Sequence, residues 1–142
     1  MPHFGSVILV DRRGWVLLQE RDEHPAIDPE KWSLCGGHLE DGEEYADGAS
    51  RELAEETGVE LAPHELELFC RLDLQRFGHA PGDAMAVYVA ATDLTDDDIV
   101  LGEGRQIVFV EPDAARRLDL SPSAAEVVPA FLDSDHYRRL CR

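Results

Sequence analysis

Positive charge is what this chain has least of: 13 lysines and arginines stand against 30 aspartates and glutamates, for a formal net charge of −17. Nucleic acid polymers and anionic membrane surfaces carry the same sign and would be repelled, so neither is expected as a partner. A small phosphorylated molecule is not excluded with them, because a bound divalent cation reverses the field locally. Cysteine is scarce as well. Cys35, Cys70 and Cys141 are too few, and odd in number, for a disulfide framework, so a reducing, cytoplasmic setting is expected. The apolar run near the N-terminus is too short for a signal peptide, and no stretch approaches a membrane span. Internal repeats and low-complexity linkers are missing too. What remains is 142 residues at 44% hydrophobic content, enough for a single folded domain over 1–142 with a sizeable core.

The acidic residues are not spread evenly. Residues 32–59 read WSLCGGHLEDGEEYADGASRELAEETGV, with a glycine pair, an acidic turn at Glu40, Asp41 and Gly42, and then a helical pattern up to Gly58. Asp41 or Gly42 is the expected N-cap, Glu43 and Glu44 suit the positive end of the helix dipole, and Gly58 is the expected left-handed terminator. At about 100° of rotation per residue, Glu52, Glu55 and Glu56 fall within one arc. Ala46, Ala49 and Leu53 form a neighbouring stripe suited to packing on a sheet, which leaves the carboxylates at the rim of the buried face. Crowded like charge costs stability unless a cation offsets it, and hard oxygen ligands suit Mg²⁺ or Mn²⁺. Glu43 lies about 180° from Glu52 on a straight helix, so it belongs to the turn leading in, as support for the site rather than part of the metal face. A run of glutamates on a helix is ordinarily a solvated face.

The spacing argues for more than that. From Gly37 there are five residues, then Glu43, seven residues, and the run Arg51, Glu52, Leu53, Ala54, Glu55, Glu56, Thr57, Gly58, Val59. This resembles the Nudix box, and every fixed position of that signature is filled over 37–59. The resemblance implies a Nudix fold, a mixed β-sheet in an α/β/α sandwich, and a magnesium-dependent hydrolase of MutT-like type. It implies metal ligands at Gly36 (by its carbonyl), Glu52, Glu55 and Glu56, with Gly37 against the substrate and Arg51 and Glu43 as supports. Arg21, at the end of an expected strand, resembles an arginine that contacts substrate phosphate in MutT-like proteins; a solvated rim arginine is the plain alternative. Glu103, between Gly102 and Gly104, resembles a loop carboxylate that joins catalysis, against the plain reading of a turn glutamate in water. The general base is left among Glu52, Glu55 and Glu103.

Elsewhere the patterns are those of an α/β chain. Residues 6–10 and 15–19 read as a hairpin around Asp11–Gly14, 22–31 as a loop over the site, 32–34 as a brief strand, and Gly36–Gly37 as a turn that lets a ligand approach. Residues 65–74, 85–91 and 107–110 read as strands, the second of them central. The acidic 92–98 stretch is a connection, since it lacks the alternating ligands of a calcium loop. After a short helix at Pro112, a helix begins at Ser121 and runs to Leu132, weakened by Pro129. Cys35 is read as a small structural hydrophobe, and His38 as solvated or hydrogen-bonded rather than a metal ligand.

The expected substrate is a nucleoside diphosphate linked to another group, first a nucleoside triphosphate, oxidised forms included. Nucleotide sugars and ADP-ribose are the alternatives. A different class comes from isopentenyl diphosphate isomerases, whose Cys-Gly-His segment resembles Cys35-Gly36-Gly37-His38 with the cysteine displaced by one residue. A regulator that binds nucleotides without cleaving them is the non-enzymatic alternative. A homodimer is the assembly considered, as the commonest for soluble proteins.

Overall fold

The computed structural model describes residues 3–21, 31–102 and 104–141. Among these residues, seven strands form one mixed sheet: β1 (His3–Val10), β2 (Val16–Glu20), β3 (Trp32–Ser33), β4 (Cys35–His38), β5 (Glu67–Asp73), β6 (Ala84–Ala91) and β7 (Gln106–Val110). Its path runs β3-β2-β1-β6-β5, with β7 on β2 and β4 on β1. Strand β1 pairs parallel with β6 along its whole length, and β6 also pairs antiparallel with β5, which makes β6 an interior strand. The β1–β2 hairpin closes on Asp11, whose buried carboxylate accepts from the backbone N–H groups of Arg13 and Trp15 at 2.8 and 3.0 Å.

Alternation along β1 and β2 divides the core in two. Ile8, Val10, Val16 and Leu18 face one side, where they meet Phe131, Val127 and Val128 of α3 (Pro122–Leu132). Val7, Leu9 and Leu17 face the other, where Ala49 and Leu53 of α1 (Tyr45–Thr57) close over them with Phe109 and Ile107. Helices on both faces of a mixed sheet make the α/β/α sandwich that the sequence led us to expect. Two short helices, α2 (Pro112–Arg117) and α4 (Asp135–Leu140), flank α3. Pro129 sits inside α3 without ending it. Among the described residues no helix is long and apolar enough to cross a membrane.

Two local expectations need correction. Helix α1 starts at Tyr45 with Glu44 as N-cap, not after Asp41 or Gly42. Those two residues instead form a turn, closed by the Glu43 N–H on the Glu40 carbonyl at 3.0 Å, with Gly42 at φ 78°. The glycine pair is also not a turn. Gly36 and Gly37 lie within β4, opposite Ser6 and Gly5 of β1. A Cβ on Gly36 would stand 2.2 Å from the Gly5 carbonyl oxygen, so glycine is required there by the close approach of two backbones.

Candidate active site

Helix α1 is brought unusually close to the sheet. A side chain on Gly5 would meet the Ala49 nitrogen at 2.9 Å and the Tyr45 oxygen at 3.0 Å. With the helix that near, its carboxylates reach the rim at β4. Glu56 is only 3% exposed, and its Oε1 accepts the Gly36 N–H at 2.7 Å. Glu52 lies beside the next residue: a Cβ on Gly37 would fall 2.6 Å from Glu52 Oε2 and 2.9 Å from Oε1. The two glutamates, one helical turn apart, thus take up adjacent places along one short glycine strand.

Arg51 organises the flank. Its Nε donates to Glu43 Oε2 and its Nη2 to Glu43 Oε1, both at 2.9 Å, a two-pronged pair. Nη2 also donates to the His38 carbonyl at 3.0 Å, while Nη1 donates to Glu52 Oε1 at 3.0 Å and to Glu55 at 3.2 and 3.3 Å. Glu43 further accepts the Glu40 N–H at 2.9 Å. The Arg51 hydrogen bond, then the Glu40 N–H, hold the Glu43 carboxyl down to about 2, and Glu43 in turn raises the guanidinium further above its ordinary value. Glu43 therefore stands in the turn before α1 and touches Arg51, not the glycine strand.

Glu55 is placed differently from its neighbours. Its side chain is 58% exposed and pinned by Arg51 on the outer flank. Among the described residues no three His, Cys, Asp or Glu side chains gather as a cluster that could hold a metal ion, so the shared arc does not become a ready-made three-carboxylate site. The donors still fit Mg²⁺, which takes one or two carboxylates and completes its shell with water and substrate phosphate.

At the end of β2, the Arg21 N–H donates to the Lys31 carbonyl at 2.9 Å, and its Nε is buried with no hydrogen-bond partner among the described residues. A buried donor without an acceptor costs about 1–3 kcal/mol, a cost that an arriving anion would remove. Glu103 and the 22–30 part of the expected loop fall outside the described residues. The flanking glycines are described. Gly102 donates to the Glu56 carbonyl at 2.8 Å, and its missing side chain would lie 2.3 Å from the Glu55 carbonyl. That contact was invisible in the sequence, where Gly102 only marked a turn; the α1-end carbonyls it helps to satisfy were the available clue.

Cys35 is completely buried, and its thiol is pushed well up by burial and then by the charge of Glu56. A cysteine so placed packs as a small hydrophobe, as the sequence led us to expect. The His38 ring packs on Phe4 at a tilt of 45°, with centroids 4.3 Å apart.

A mixed sheet between helical layers, with one helix laying carboxylates along a glycine strand at the sheet's rim, defines a class: an α/β/α protein with a carboxylate-lined rim. Comparison narrows the class. The NUDIX domain model matches residues 1–131. A Nudix hydrolase of Pseudomonas aeruginosa is 31% identical over 139 residues, covering 90% of this chain and 76% of the relative. The dihydroneopterin triphosphate diphosphatase of Escherichia coli K12 is 31% identical over 129 residues, covering 85% and 78%. A MutT/Nudix family protein of Listeria innocua superposes with a TM-score of 0.76 at 18% identity, over 98% of this chain and 96% of that one. The chain belongs to the Nudix family and is a hydrolase acting on pyrophosphate bonds.

Proposed function

We propose that this chain is a Mg²⁺-dependent pyrophosphohydrolase, Mn²⁺ being able to substitute, acting on a small triphosphate whose terminal phosphates hang from a nucleoside or pterin group. The observation that carries the reading is the alignment of Glu52 and Glu56 along Gly37 and Gly36. A triphosphate is favoured by the Escherichia coli relative, which is named for one. The Gly36 carbonyl, Glu52 and Glu56, with Glu55 on the flank, are the residues that would hold the ion.

A phosphoanhydride resists hydrolysis because its oxygens repel the incoming nucleophile and its leaving phosphate gathers charge. A bound divalent ion neutralises that charge and lowers the pKa of water in the site. The chain's own residues do the rest. Gly37, having no side chain, lets the Glu52 carboxylate lie against the strand that the diphosphate would approach. Arg21 offers its unpartnered Nε to phosphate. Glu52, Glu55 or Glu103 accepts the proton as water oxygen bonds to phosphorus and the bridging P–O bond breaks. A nucleoside monophosphate, or its pterin counterpart, leaves with pyrophosphate. Arg51, locked to Glu43, keeps Glu52 from swinging into solvent.

The test is pyrophosphate and phosphate release with Mg²⁺ across nucleoside and pterin triphosphates, nucleotide sugars and dinucleotides, repeated with Glu56→Gln. Turnover of at least one triphosphate, reduced about 100-fold or more in the variant, is expected. Undiminished Mg²⁺-dependent turnover by Glu56→Gln would remove Glu56 from the site.

A further inference from the structure

Beside the glycine strand, on the other face of the sheet, lies a group of side chains that the hydrolytic chemistry does not use. His38 follows Gly37 directly, and alternation turns its ring away from Glu52 toward the side that Phe4 occupies. Phe4 lies opposite His38 in the β1–β4 pairing, with ring centroids 4.3 Å apart. Its other neighbour is His79, at 5.7 Å and nearly perpendicular. His38 is exposed, and Phe4 and His79 are half-buried, so the aromatic surface is open to a ligand.

Asp83 lies next to these rings, immediately before β6, which runs parallel to β1 with Phe4 opposite Met85. It is only 5% exposed. One carboxylate oxygen, Oδ2, accepts the Ala80 N–H at 3.2 Å and stands 3.8 Å from His79 Nδ1, too far for a hydrogen bond. The other, Oδ1, is buried and accepts none from the described residues. Native structures rarely leave a buried carboxylate oxygen without a donor, and this one belongs to the side chain that stands against His79.

We infer that Phe4 and His38 form the shelf on which the substrate's base stacks, in the place His79 now fills, and that Asp83 selects a base presenting two adjacent N–H donors. This rests on the hydrolytic reading above. An ionised carboxylate only accepts hydrogen bonds. Adenine and cytosine each set an amino group beside a ring acceptor, which would confront the carboxylate with a lone pair. Uracil flanks its single N–H with carbonyls. The 2-amino-4-oxopyrimidine edge, common to guanine and the pterins, offers a ring N–H and an exocyclic amino group side by side. His79 touches both Phe4 and Asp83, so it is the ring a base displaces. Gly78, at φ 94° with open space around it, leaves the preceding backbone room to follow.

The experiment compares kcat/KM for GTP, a pterin triphosphate, ITP and ATP in the wild-type protein and in Asp83→Asn. ITP lacks only the exocyclic amino group. The expected order places GTP or the pterin triphosphate about 10-fold or more above ATP, with ITP between, and Asp83→Asn brings the ratio close to one. The GTP and pterin arms tell which source of the shared edge is preferred. Equal rates on GTP and ATP, or full discrimination in a folded Asp83→Asn, would overturn the inference while leaving hydrolysis intact. Should the variant not fold, the wild-type GTP-to-ITP ratio decides: a ratio of one rejects the role of Asp83. Should no triphosphate be cleaved, the hydrolytic reading fails separately. Calorimetric titration with GMP and AMP then reads the shelf, tighter GMP binding supporting it and equal binding rejecting it.

Discussion

The two faces of the sheet are covered in different ways. Under α3 the contact is made by volume: Phe131, Val127 and Val128 are at most 1% exposed and press on Ile8, Val10 and Leu18. Phe131 also meets Phe69 and Tyr137 edge-on, at 5.3 and 5.4 Å. Under α1 only Ala49 and Leu53 enter the core from the middle of the helix. That helix is held instead by closeness to Gly5, by the Arg51 fork, and by backbone hydrogen bonds at its end. A helix anchored through backbone and rim leaves its charged edge available for chemistry, whereas one anchored through bulky side chains has nothing to spare. The α3 side supports the fold; the α1 side gives up packing where the proposed site lies.

Phe131→Ala should break the contrast most severely, lowering unfolding free energy by about 3–5 kcal/mol in a denaturant titration, because it empties the centre of the α3 face. A much smaller loss would mean that this face does not depend on volume. Gly5→Ala should cost about 1–3 kcal/mol by forcing α1 off the sheet, and should also lower kcat as Glu52 and Glu56 leave the glycine strand. Unchanged kcat in that variant would detach the helix-to-sheet distance from function. Glu43→Gln should cost about 1–3 kcal/mol by weakening the charged fork to Arg51. Because the folded state holds the Glu43 carboxyl down to about 2, its contribution is present above its ordinary value of 4.5 and fades as pH falls from there toward 2. The acid limb of the stability profile should therefore be shallower in the variant, and an identical limb would deny the pair its role. The smallest effect is expected away from both faces. Glu111 caps α2 by accepting from the Asp113 and Ala114 N–H groups at 3.1 and 3.2 Å, and Glu111→Ala should cost about 1 kcal/mol with kcat untouched.

How much of this could be read beforehand follows from how local each feature is. The carboxylates at 52 and 56 and the arginine at 51 are fixed by a spacing confined to one helix and its approach, so the sequence displays them together. The division of the core follows from the alternation of 7–10 and 16–18, also a local signal. The start of α1 escaped because Glu43 leaves the helical path to reach Arg51, a choice made by a side-chain fork rather than by capping preference. Gly36 and Gly37 were read as a bend, when what they provide is clearance for Ser6 and Glu52 on other elements. The association of Phe4 with His79 depends on β1 running parallel to β6, a long-range pairing that no pattern within either strand announces.

The last turn of α1 has one more property. Its carbonyls at Ala54, Glu56 and Thr57 accept from the N–H groups of Gly58, Gly102 and Val100, at 2.9, 2.8 and 2.8 Å. Most helices fray at such a terminus because water competes for the final carbonyls; here the chain's own connecting segment occupies those positions. The turn bearing Glu56 is thereby tied to the segment just ahead of β7, so thermal fluctuation should carry the two together, and their amide protons should exchange with solvent in step, later than those at the Tyr45 end.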